Sequence, residues 1–137
     1  MKSILKFAFF LVTACSISFS YAGGTDWKEM NTFHSVMSKT FHPTEEGKFQ
    51  PVRDNASDLL AKAKTWKASA VPSTLNKEQV TKSLDKLVAK CTELDKAVKA
   101  KKGDDDLKKL ITEAHDIFHE VAEKCMPGEP GHEGHKH

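Results

Sequence analysis

Residues 76–125 read NKEQVTKSLDKLVAKCTELDKAVKAKKGDDDLKKLITEAHDIFHEVAEKC. Val80, Leu84, Leu87, Cys91, Leu94 and Val98 follow one another at intervals of four and three. After Gly103 the pattern resumes with Leu107, Ile111, Ala114, Phe118, Val121 and Cys125. Such spacing puts each set on one stripe of an α-helix. Asn76 and Gln79 open the first segment as a capping-box-like start. Asp104, Asp105 and Asp106 place negative charge at the start of the second, where the helix macrodipole favours it. The spacing therefore predicts helices over 76–101 and 104–125, with Gly103 ending the earlier one.

The same periodicity extends toward the N-terminus. Val52, Ala56, Leu59, Ala63, Trp66 and Ala70 predict a helix over 48–69, with Pro51 tolerated in its first turn. Trp27, Met30, His34, Met37 and Phe41 predict another over 26–42, stopped by Pro43. Four helices of similar length, each with a single apolar stripe, bury those stripes only against one another. The expected fold is all-α, an up-down-up-down antiparallel four-helix bundle over residues 23–126. Residues 127–137 have no apolar periodicity and are expected to form a disordered tail. His132, His135 and His137 in that tail have the spacing of weak, geometry-free metal-binding tracts.

Residues 1–22 read as an export signal. Lys2 and Lys6 form a positive start, Phe7 to Phe19 an apolar stretch, and Ser20-Tyr21-Ala22 a small-x-small cleavage pattern. The expected location is periplasmic, with a mature chain starting at Gly23 and no integral membrane segment after signal removal. A second reading takes Val12-Thr13-Ala14-Cys15 as a lipoprotein box with Cys15 as the lipidated terminus. The 137 residues carry 21 basic and 19 acidic side chains. Loss of Lys2 and Lys6 balances them, leaving no field for nucleic acid or anionic lipid. With Arg53 as the only arginine, bidentate phosphate or guanine contacts lack donors, which argues against nucleic-acid partners. No nucleophile motif or Gly-rich phosphate loop occurs, and the expected helices lack the paired glutamates and Glu-x-x-His of bundle di-iron sites, which argues against an enzyme.

Histidines stand out on a bundle of this kind, because a buried imidazole needs a partner. His115 and His119, four apart, stack on one helix face and can pinch one transition metal. At ~1.5 Å per residue, His34 lies ~12 Å from the start of the first helix. His119 and His115 lie ~9 and ~15 Å from the end of the fourth by the same rise. In an up-down-up-down bundle those ends share one face, so His34, His115 and His119 fall at one level of one groove, with Met30 or Met37 as a soft donor. The expected metal set is His34, Met37, His115 and His119. Thioether with imidazole suits copper, and imidazole alone suits zinc or nickel. His42 with Glu45 or Glu46 forms a polar corner expected at the opposite end, able to hold a metal but read first as a plain helix-end turn. Cys91 and Cys125 are ~22 Å apart along the bundle, beyond disulfide reach. Cys91 then reads as a core hydrophobe, and Cys125 as a ligand, an intermolecular partner or neither.

The chain resembles the four-helix-bundle cytochromes of the bacterial periplasm, the cytochrome c-prime group and its soluble b-type relative. The resemblance spans the helical part and rests on an exported bundle of this size with a histidine motif late in the fourth helix. Where the c-type members carry Cys-x-x-Cys-His, this chain has His115-Asp116-Ile117-Phe118-His119, so covalent haem is excluded. The b-type relative implies non-covalent haem b held between a methionine early in the first helix and a histidine late in the fourth, here Met30 and His119. Three functions are thus open: a periplasmic transition-metal-binding protein, an electron-transfer cytochrome with Met/His ligation, and a cofactor-free stress or interaction module. The protein partner is not legible.

Overall fold

A computed structural model describes residues 27–125. The export-signal reading, the Cys125 thiol and the tail fall outside what is described. The helices are α1 (Lys28–Glu45), α2 (Gln50–Ala68), α3 (Lys77–Lys99) and α4 (Asp104–Cys125). Each packs against the next, and α4 returns to α1, completing an all-α four-helix bundle. The α1–α4 seam is the sparsest of the four. None of the described helices is long and apolar enough to cross a membrane.

The stripes of α2, α3 and α4 bury the expected residues. Val52, Leu59, Trp66, Leu84, Leu87, Leu94, Leu107 and Ile111 are fully or almost fully enclosed. Cys91 is a free thiol at 0% exposure. Burial, which disfavours the thiolate, pushes its pKa up to about 12. Two further expectations shift by a residue or an element end: Ala97 is buried where Val98 is only partly so, and Ala70 lies exposed beyond α2. On α1 the buried residues are Met30, Phe33, Met37, Thr40, Phe41 and Thr44. His34 was expected on this seam, but Phe33 occupies it and His34 is exposed. Neighbouring helix positions differ by about 100°, so Phe33 and His34 straddle the edge of the stripe, and the larger apolar ring takes the interior.

Polar side chains tie the stripes together at their margins. Ser57 Oγ donates to Asp95 Oδ1 at 2.5 Å, and Lys99 Nζ donates to Asp95 Oδ2 at 2.6 Å. These two bonds hold the Asp95 carboxyl below the usual carboxylate range. Arg53 Nη2 reaches Asp104 Oδ1 at 2.7 Å and the Lys102 carbonyl at 3.2 Å, joining the start of α2 to the start of α4. Lys90 bridges Glu93 and Glu113, tying α3 to α4. Ser83 Oγ similarly donates to Glu120 Oε1.

Helix ends differ from expectation at two places. Pro43 does not stop α1, because the only N–H it deletes is in the last turn. Thr40 and Thr44 hydroxyls meanwhile bond the carbonyls of Val36, Met37 and Thr40. The stop is Gly47, at φ +76°. There Lys48 N–H returns to Pro43 O and Gly47 N–H to Thr44 O, a Schellman closure. Nor does Gly103 end α3. Lys101 takes the left-handed position at φ 54°, with the equivalent bonds Lys102 N–H to Ala97 O and Lys101 N–H to Val98 O. Gly103 instead accepts the Leu107 N–H as α4 begins. Asn76 does cap α3, its side chain accepting Gln79 N–H at 3.1 Å.

The two closures carry opposite predictions. Gly47→Ala forces a Cβ into the left-handed region and should cost about 1 kcal/mol. Lys101→Gly relieves the same strain and should gain about 0.5–1 kcal/mol. Urea midpoints of the two variants should therefore move in opposite directions.

Candidate metal centre

Helical repeat places His115 beside the buried stripe of α4 and His119 one turn further, on the side that faces α1. Their Nε2 atoms are 3.1 Å apart. A metal 2.0–2.1 Å from each nitrogen would subtend an angle of roughly 95–102°, between square-planar and tetrahedral geometry. The distance also suits a hydrogen bond in which one Nε2–H donates to the other ring's lone pair.

Phenylalanines position these rings. His115 lies flat on Phe41 of α1, with centroids 3.7 Å apart and planes 8° from parallel. His34 stacks on Phe118 of α4 at 4.8 Å and 17°. Phe118 also meets His119 edge-on at 5.4 Å. The level matching of His34 with His119 therefore agrees with the stacking on Phe118, although His34 lies outside the core. His42 was expected at the opposite end but belongs to this cluster. It packs edge-on against Phe41 at 5.7 Å, the same ring on which His115 lies. Cα levels alone do not place His42 here, because they ignore side-chain lean. Helical side chains tilt toward their own N-terminus, so on antiparallel neighbours those of α1 and α4 tilt toward each other's levels here.

Electrostatics reinforce the grouping. Burial, then the neighbouring imidazoles of His119 and His42, lower the His115 pKa to about 4. Glu45 opposes that shift, and its carboxylate lies 3.3 Å from His42 Nδ1. His34 is lowered by burial and then by His119 and His42. Among the described residues, no group of three or more His, Cys, Asp or Glu side chains already converges as a metal-holding set. The structure brings two nitrogens together and leaves further imidazoles nearby.

The methionines stand apart. Met30 and Met37 are 2% and 0% exposed within the core, where they fill volume, whereas His34 and His119 are exposed. The expected pairing of Met37 with the histidines is not assembled. Nor do the residues present fit a porphyrin between Met30 and His119. Phe33, Trp66 and Phe118 fill that interior at centroid separations of 5.5, 5.8 and 6.0 Å. Two surface clefts, of about 210 Å³ between α1 and α2 and about 390 Å³ between α3 and α4, are lined by neither Met30 nor any histidine.

Comparison with family models, curated proteins and solved structures returned no match. Nothing in those comparisons ties the chain to the bundle cytochromes.

The His115 shift fixes the sign of a pH effect. Below about pH 6.5 the unfolded chain protonates this imidazole, while the folded chain does so only near pH 4. The unfolded state thus binds more protons in that window, and folding stability falls as pH drops through it. With the ring partly open to solvent, the loss should be on the order of 2 kcal/mol. Urea unfolding of chelator-treated protein between pH 7 and pH 4 should show this limb, and His115→Gln should flatten it.

Proposed function

We propose that the chain is an exported, periplasmic transition-metal-binding protein whose metal is held by Nε2 of His115 and Nε2 of His119. The observation that carries this reading is their 3.1 Å separation on consecutive turns of one rigid helix. Two imidazoles fixed at chelating distance lose little conformational freedom on ligation, so binding costs less than at a flexible histidine tract. The depressed pKa of His115 supports the same reading, since a ligand must be neutral and this ring stays neutral at pH 7.

At 3.1 Å the two Nε2 atoms also suit a hydrogen bond in which one ring carries its proton on Nε2. Ligation needs both Nε2 lone pairs, so the donor ring must carry its proton on Nδ1 instead. The stacking of His115 on Phe41 holds its ring plane while that proton is relocated. The donor set favours borderline divalent ions, copper(II), nickel(II) or zinc(II). Copper(I) is disfavoured because the described thioethers are enclosed in the core and the Cys91 thiol is sealed. The proposed role is binding rather than turnover.

The test is a metal-dependent thermal shift in a chain carrying His132→Gln, His135→Gln and His137→Gln, which removes competition from the tail. Metal at 100-fold over Kd stabilises by about 2.7 kcal/mol, roughly 10 °C for a domain of this size. His115→Ala or His119→Ala should abolish most of that shift. Metal-free His119→Ala should stay within about 1 kcal/mol of the parent, since His119 is exposed. Equal shifts in parent and variants would overturn the reading.

A further inference from the structure

Two nitrogens leave a transition metal short of its coordination shell, which holds four ligands in the common tetrahedral and square-planar geometries. Resting on the His115/His119 reading, we infer that His42 of α1 supplies the third imidazole and that Glu45 orients it. Metal uptake then clasps α1 to α4 across the sparsest seam of the bundle.

Three observations carry this. First, Phe41 is shared: His115 lies on its face at 3.7 Å and His42 meets it edge-on at 5.7 Å. The two imidazole centroids are therefore no more than roughly 9 Å apart, a gap that side-chain rotation about χ1 can close.

Second, His42 already has the partner of a metal-binding histidine. Its Nδ1 faces Glu45 Oε2 at 3.3 Å. A carboxylate accepting from Nδ1–H keeps the proton there and leaves the Nε2 lone pair free for metal. The His42 side chain is 66% exposed, so the rotation gives up little beyond its edge contact with Phe41.

Third, direction separates His42 from His34. Side chains on α1 lean toward its N-terminus and those on α4 toward its own. His42 leans back toward the level at which His115 meets Phe41, whereas His34 leans away from it. His34 instead lies flat on Phe118 and covers the ring beside His119.

The resulting site has three nitrogen donors from two helices and a remaining position for water or an exchanging ligand. Its chemical class is a borderline divalent ion held by imidazoles alone. Because His42 and the α4 pair sit on opposite sides of the seam, binding resists separation of the two helices. Ligation by the α4 pair alone would not.

Copper(II) is the probe, added to the full chain carrying His132→Gln, His135→Gln and His137→Gln. Electron paramagnetic resonance should count three imidazole nitrogens in this parent and two in His42→Gln. His42→Gln should bind at least about tenfold more weakly, and His34→Gln within about threefold of the parent. Glu45→Gln should also weaken binding while the count stays at three, because Glu45 positions His42 without touching metal. Two nitrogens in the parent, unchanged affinity in His42→Gln, or a tenfold loss in His34→Gln instead would overturn the clasp and leave the His115/His119 reading standing. Parent-like binding by His115→Ala, His119→Ala would overturn that reading, and the clasp with it.

Discussion

Trp66 of α2 is the hub around which this bundle closes. Its indole is 0% exposed and touches Trp27 at the head of α1, Phe33 within α1 and Phe118 of α4, with centroids 5.6, 5.5 and 6.0 Å away. Three of the four helices thus meet on one side chain. Edge-on and tilted ring contacts of this kind contribute about 0.5–1.5 kcal/mol each beyond area burial. They act where direct α1–α4 contact is thinnest. Trp27 is pinned in turn, its Nε1 donating to Ser69 Oγ at 2.8 Å, while Ser69 Oγ donates to the Trp66 carbonyl at 2.6 Å. Trp66 Nε1 itself has no hydrogen-bond partner among the described residues. An unpaired buried donor costs on the order of 1–3 kcal/mol, which the packing of this large ring must outweigh.

That arrangement explains where the histidines stand. With Trp66, Phe33 and Phe118 filling the space inside the seam, nothing polar belongs there. The outer lip of the same seam is lined by phenylalanine faces, Phe41 and Phe118, against which imidazoles lie flat. A stacked ring has its plane set, so its nitrogens point in a defined direction without deep burial. The sparse seam and the histidine cluster lie together: α1 and α4 meet through a few direct ring contacts and through Trp66 of α2, and imidazoles stack along the outer edge between them.

Much of the fold was legible in the residues. The four-three spacing from Val80 to Leu94 and from Leu107 to Val121 admits one helical stripe each, and all of those positions are buried. Asn76 was legible as a cap because its side chain competes directly for the first free N–H groups. The boundaries were less so. Pro43 reads as a stop from local sterics alone, but two threonine hydroxyls and the Gly47 closure carry the helix past it. Phe33 and His34 are adjacent and both compatible with a helical stripe, so only the shape of the neighbouring helices decides between them. For the candidate site, the i, i+4 pair and the level of His34 could be read from the chain. The placement of His42 could not, because it depends on side-chain lean across an antiparallel pair. Met30 and Met37 were assigned as donors on chemistry, whereas the core recruits them for volume.

Cys91 illustrates what complete enclosure does to reactivity. A thiol at 0% exposure whose pKa burial has raised to about 12 offers neither a thiolate nor a path of attack while α3 is docked. Oxidants, alkylating reagents and soft metals all reach this sulfur only when the bundle opens. Its modification rate is thus a clock for global unfolding, timed by α3 from inside the chain.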